Sequence, residues 1–113
     1  MRSAIIIASL ALVLVLASAV TAYAAAGTAD VKYPDWAKVS IQNGAFTPDN
    51  VTIAKGGYVI WTNMDNNPNS VKFDSYEKNL GKGGALTRTY ENPGTYTYSN
   101  GLSPKHKGIV IVK

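Results

Sequence analysis

Past its first two dozen residues, this chain is a succession of short runs rich in β-branched and aromatic residues, each closed by turn residues. No apolar pattern at helical spacing interrupts them. Lys38-Val-Ser-Ile-Gln42 alternates polar and apolar positions and stops at Asn43-Gly44, a turn dipeptide. Val51-Thr-Ile53 leads into Lys55-Gly56-Gly57, where glycine supplies the positive φ that a tight turn requires. Tyr58-Val-Ile-Trp-Thr62 is the strongest run, and the polar segment Asn63 to Pro68 follows it as a loop. Ser70-Val-Lys-Phe73, Leu86-Thr-Arg-Thr-Tyr90, Thr95-Tyr-Thr-Tyr98 and Ile109-Val-Ile-Val-Lys113 continue the series. The glycines 81, 83 and 84 and the turn Asn92-Pro-Gly94 fall between these runs. Period-two alternation places one face of each strand against a core, so two sheets must cover each other. Seven or eight strands in about 90 residues predict an all-β, antiparallel Greek-key β-sandwich.

The N-terminal segment is of a different kind. Met1, Arg2 and Ser3 form a short basic start, an apolar run extends from Ala4 to Ala22, and two overlapping A-x-A sites follow at Ala22-Tyr23-Ala24 and Ala24-Ala25-Ala26. That order reads as a secretory signal, with residues 1–26 as signal peptide or anchor and 27–113 as the single exported domain. The run is close to the ~20 residues that span a bilayer, so residues 4–22 could instead stay uncleaved as a membrane tether. A pilin-like cut near Ser3, leaving a helix that assembles into a filament, is a third reading. The paired A-x-A sites and the lack of a basic stop-transfer cluster before Lys32 favour cleavage.

Composition narrows the function. The chain has no cysteine, so no disulfide braces the exported domain. Arg2 aside, ten Lys and Arg face seven Asp and Glu, with no basic run of four or more. Nucleic acid is therefore excluded as an expected partner. The remaining positive charge supports only a mild attraction to anionic surfaces. No phosphate-cradling glycine loop joins a strand to a helix, and the sole histidine has no evident acid partner, so the chain does not read as an enzyme.

Several of these runs are ordered as in one known family. Phe46-Thr-Pro48, Lys55-Gly56-Gly57, Val59-Ile-Trp-Thr-Asn63, Pro68-Asn69-Ser70-Val71, Gly94-Thr-Tyr-Thr-Tyr98 and Gly108-Ile-Val-Ile-Val112 follow one another without an awkward gap. In this the chain resembles the cupredoxins, the plastocyanin, amicyanin and pseudoazurin group, from about Val39 to Lys113. The resemblance implies their sandwich fold. It would also imply a copper electron-transfer site made of two imidazoles, a thiolate and an axial thioether. Matched to that pattern, the first His position holds Asn69, the Cys position Asn100, the second His position Ser103 and the axial Met position His106, with Pro104 and Gly108 in their expected places. These four are the candidate site residues, as vestigial ligand positions. Sliding the match by one residue yields neither a sulfur nor a second imidazole.

The expectation is accordingly a domain with no copper cofactor, metal binding being at most weak at His106, and a role as a non-enzymatic binding or cell-envelope module. Its partner would be a protein or envelope component, and its place periplasmic, extracellular or anchored facing outward. The alternatives are a copper-binding electron-transfer protein of the blue-copper family and a filament subunit built through the N-terminal helix. Lys72, Lys82, Lys105 and Lys107 could form a basic docking face, although scattered lysines are the ordinary dress of a solvated surface. The aromatics Tyr58, Trp61, Phe73, Tyr90, Tyr96 and Tyr98 are expected in packing rather than as a sugar platform. Asn50-Val-Thr52 matches the glycosylation sequon, and Asp65, Asp74 and Glu77 read as ordinary loop acids.

Overall fold

The computed structural model describes residues 31–113, so the expected N-terminal helix and the boundary at residues 26 and 27 lie outside the described residues. Within Tyr33–Lys113, which forms one compact unit, nine strands follow in chain order. They are β1 (Trp36–Gln42), β2 (Ala45–Thr47), β3 (Asn50–Ile53), β4 (Gly57–Asn63), β5 (Asn69–Lys72), β6 (Glu77–Leu80), β7 (Ala85–Tyr90), β8 (Gly94–Asn100) and β9 (Ser103–Val112). No described residue is helical.

The strands form two sheets, ordered β3-β9-β8-β5-β6 and β2-β1-β4-β7. The expected sandwich is present, and each sheet is mixed. β1 runs parallel to β4 and β3 parallel to β9, while the other pairs are antiparallel. The parallel pairs arise because the chain changes sheet between β2 and β3 and again between β3 and β4. A strand that returns by such a crossover, rather than by a hairpin, can lie alongside its neighbour in the same sense.

Two strands escape the alternation rule. Ala45–Thr47 is the three-residue return of a hairpin. Glu77–Leu80 is an edge strand whose first three residues are exposed, so no apolar period marks it. The last strand also begins earlier than Ile109. Ser103 pairs with Asn100 and Lys107 with Ser99, leaving Pro104, Lys105 and His106 in a bulge while the opposing strand advances by one residue.

Alternate residues of the facing strands fill the core. Val39 and Ile41, Val51 and Ile53, Val59 and Trp61, and Val110 and Val112 all point inward. Trp61 is fully buried at the centre, with Phe73 and Tyr98 meeting it edge-on at centroid distances of 5.4 and 5.2 Å. Such edge-to-face pairs add roughly 0.5–1.5 kcal/mol beyond the area they bury. Opposite Tyr98 across the strand pair stands Gly108, and a Cβ there would collide with the Tyr98 ring, so the glycine makes room for the phenol.

The Tyr98 hydroxyl is buried and finds no hydrogen-bond partner among the described residues. Burial pushes its pKa from 10.0 up to about 12. The neighbouring Trp61 indole offsets little, since the pair falls short of hydrogen-bond geometry. With the phenol neutral in both states below pH 10, stability is undiminished there, and it falls as pH climbs toward 12 because only the unfolded chain ionises readily. Tyr98→Phe removes a desolvated group with nothing to satisfy it. The variant is expected to be as stable as the parent at pH 7, or more stable by about 1 kcal/mol, and to lose less stability above pH 10. Urea denaturation at both pH values checks this.

Candidate functional site

At one end of the sandwich, the hairpin between β1 and β2 turns through two residues only. Asn43 and Gly44 have φ of 53° and 77°, and Gln42 pairs with Ala45. Two successive positive φ angles are the mark of a type I′ turn, which Asn-Gly satisfies best. The backbone N–H groups of Asn43 and Gly44 both donate to the carboxylate of Asp65, at 2.7 and 2.9 Å. Asp65 belongs to the segment after β4, so its side chain ties that loop to the hairpin. Gly44 also makes room for its neighbours, because a Cβ on it would stand 3.3 Å from His106 Cδ2 and 3.6 Å from Ser103 Oγ.

Beneath this hairpin lie three buried asparagines. Asn100 Nδ2 donates to Asn69 Oδ1 at 2.9 Å and to the Gly44 carbonyl at 3.0 Å. Asn69 Nδ2 in turn donates to Asn63 Oδ1 at 2.9 Å and to Asp65 Oδ2 at 2.8 Å. Asn63 Nδ2 completes the series by donating to the carbonyls of Asn67 and Leu80, both at 2.9 Å. Asn100 Oδ1 accepts from the backbone N–H of Ser70 and of Leu102, and Asn63 Oδ1 accepts from that of Asp65. Every amide in this relay thus uses both its hydrogens and its oxygen. Alongside it, Ser70 Oγ donates to Glu77 Oε2 at 2.9 Å and accepts from Gly101 N–H at 2.6 Å.

The four sequence-derived positions therefore meet at one end of the molecule. Asn69 and Asn100 bond to each other, and Ser103 and His106 both face the Gly44 turn against which Asn100 rests. A cleft of about 420 Å³ opens here, lined by Asn43, Gly44, Asp65, Asn69 and Ser103 among others. A larger groove of about 520 Å³ lies near Lys72, Ser99 and Lys107, and none of the four positions lines it.

Sequence reasoning missed Asn63 and the structural part played by Asp65, Ser70 and Glu77. The signal for Asn63 was present. It shares the inward parity of Val59 and Trp61 on β4, and it is fully buried. No local pattern pointed to Asp65 or Glu77, whose partners are 22 residues away for Asn43 and seven for Ser70.

The Cupredoxin-like domain family matches residues 6–112. The chain belongs to that family. No curated protein matches it. Among solved structures, it is similar to a purple cupredoxin from Nitrosopumilus maritimus, at 26% identity and a TM-score of 0.64, covering 68% of this chain and 99% of the other. It is likewise similar to amicyanin from Paracoccus versutus, at 28% identity and a TM-score of 0.65, covering 74% of this chain and 86% of the other.

The donor set of this cupredoxin-like chain does not suit a blue-copper centre. The chain has no thiolate and only one imidazole. Asn69 and Asn100 direct N–H groups at neighbouring oxygens, and their own oxygens already accept hydrogen bonds. Among the described residues, no three His, Asp or Glu side chains gather to hold an ion.

Two outcomes follow from this geometry. Asn100→Leu strands the N–H groups of Ser70 and Leu102 and the oxygens of Asn69 and Gly44. It is expected to cost about 3 kcal/mol or more in urea denaturation. The pH response is set by Asp65, whose pKa is held below the ordinary 3.8 by the Gly44 N–H, then by the Asn43 N–H and the Asn69 amide. A depressed carboxylate pKa favours the native state above 3.8, and that contribution is lost as pH falls through the lower native value. Acid unfolding of the parent and of Asp65→Asn should therefore converge at the lowest pH and separate above it, with the parent the more stable.

Proposed function

We propose that this is an exported cupredoxin-like domain that works without copper, as a non-enzymatic binding or structural module of the cell envelope. The observation that carries the reading is the Asn100–Asn69–Asn63 relay at the family's ligand end, closed on itself by hydrogen bonds. A blue site needs a thiolate for its strong covalent bond, and an amide is a poor substitute. The same end presents two exposed apolar side chains attached to the relay. Met64 follows Asn63, and Leu102 donates its backbone N–H to Asn100. These give a partner protein or envelope component an apolar foothold beside a polar, rigid floor. Export rests on the basic start, the apolar run and the A-x-A sites, with residues 4–22 as the tether if that segment is retained.

A second reading is favoured by one observation: His106, the only imidazole, stands at this same end beside Ser103 and the Gly44 turn. On that reading the chain handles copper weakly through His106, with water and a carboxylate completing the shell. Titration of Cu²⁺ into the parent and His106→Ala separates the two, since only this reading expects binding that the variant loses.

The test of the main reading uses a rebuilt site as its control. Asn69→His, Asn100→Cys and Ser103→His together restore an imidazole, a thiolate and a second imidazole at the matched positions. The triple variant is expected to take up copper stoichiometrically and show an intense thiolate-to-copper band. The parent, incubated and dialysed alike, should retain less than about one ion in ten proteins, which at equal free copper means a dissociation constant at least about tenfold above the free copper concentration. Stoichiometric copper with a strong visible band in the parent would refute the reading.

A further inference from the structure

The described chain contains two Asn-Gly peptides, Asn43-Gly44 and Asn100-Gly101, and both abut the relay. Asn-Gly is the sequence most prone to spontaneous deamidation, because glycine offers no side chain to hinder attack by its own backbone nitrogen. In that reaction the glycine nitrogen gives its proton to a solvent base and forms a bond to the asparagine Cγ. The Cγ–Nδ2 bond then breaks and ammonia leaves. Water opens the resulting cyclic imide to aspartate or isoaspartate. The step therefore requires a glycine N–H that solvent can reach and a nitrogen free to swing onto Cγ.

In both places that N–H is engaged by a side chain. Gly44 N–H donates to Asp65 Oδ2 at 2.9 Å, and Gly101 N–H donates to Ser70 Oγ at 2.6 Å. Ser70 is itself fully buried and fixed by its bond to Glu77 Oε2. At Asn100 the leaving group is held as well, because Nδ2 donates to both Asn69 Oδ1 and the Gly44 carbonyl. Asn43, by contrast, is exposed, and Asp65 holds the adjoining Gly44 nitrogen.

We propose that Asn43 and Asn100 are latent deamidation sites, each kept unreactive by a dedicated side-chain acceptor on the following glycine nitrogen, Asp65 for the first and Ser70 for the second. This is independent of what the domain binds. It gives Asp65 and Ser70 a role that packing alone does not require: they preserve the chemical identity of the relay. Conversion of Asn100 to aspartate would replace two donated hydrogens by a carboxylate facing Asn69 Oδ1 and the Gly44 carbonyl.

Peptide mapping by mass spectrometry during incubation of the full chain at mildly alkaline pH tests the assignment. Asp65→Ala should speed deamidation at Asn43 about tenfold or more, the effect of freeing one charge-assisted hydrogen bond, and leave Asn100 unchanged. Ser70→Ala should do the reverse, with a similar factor at Asn100. Circular dichroism identifies a variant that has unfolded, in which both sites would accelerate together. For that case, hydrogen exchange on the parent decides, since the Gly44 and Gly101 amides should be protected more strongly than the amide of the exposed Lys82. Site-specific acceleration in folded variants supports the proposal. Equal rates at Asn43 in the parent and folded Asp65→Ala, or an unprotected Gly101 amide, would overturn it.

Discussion

The architecture of the end that holds the three asparagines depends on one constraint: an amide buried away from water must have all its hydrogen-bonding groups satisfied. Asn63 comes from the sheet that holds β4, while Asn69 and Asn100 come from the opposite sheet, and Asn100 reaches back to Gly44 in the first. The relay therefore joins the two layers by directional bonds at an end where the apolar core gives way to polar residues. Apolar packing tolerates small slips, but a saturated polar network does not, because any shift leaves several groups unsatisfied at once. The asparagines thus fix how the sheets sit on each other, and the Asp65 carboxylate extends that order to the hairpin.

Side-chain chemistry explains how these positions satisfy one another. Metal ligands present lone pairs toward a common point, and in the absence of a cation those lone pairs repel. Amides carry a donor and an acceptor on the same group, so they can be arranged head to tail, each neutralising the next. Asn100, Asn69 and Asn63 do this in sequence. A scaffold whose matched positions would otherwise call for an external charge here has an internal partner for every polar atom of the three amides.

Most of the fold was legible in the sequence, because it rests on parity. Val39 and Ile41, Val59 and Trp61, and Val110 and Val112 each declare an inward face by simple alternation. Strands whose neighbours, rather than whose own residues, make them strands were not legible. Glu77–Leu80 is held in place by pairing with β5, and Ser103 to Lys107 by pairing across a bulge with β8. The candidate positions were legible through the family pattern, and their convergence on Gly44 follows from the register of β8 and β9. The bonds that complete the site were hidden for another reason. They join Asn63 to Leu80, Gly44 to Asn100 and Asp65 to the hairpin, separations over which a one-dimensional pattern carries no information.

The placement of β9 bears on how the domain assembles. It lies between β3 and β8, parallel to one and antiparallel to the other, so the larger sheet is divided until β9 inserts. Of the nine strands it is the last to be synthesised. A nascent chain lacking it leaves β3 without a partner and β8-β5-β6 with an unpaired edge, so the opposing layer has no continuous wall to rest on. Long-range pairing of this kind slows folding. The wall therefore closes only when β9 arrives, so the two flanks of the larger sheet gain their tertiary order in one step rather than one after the other.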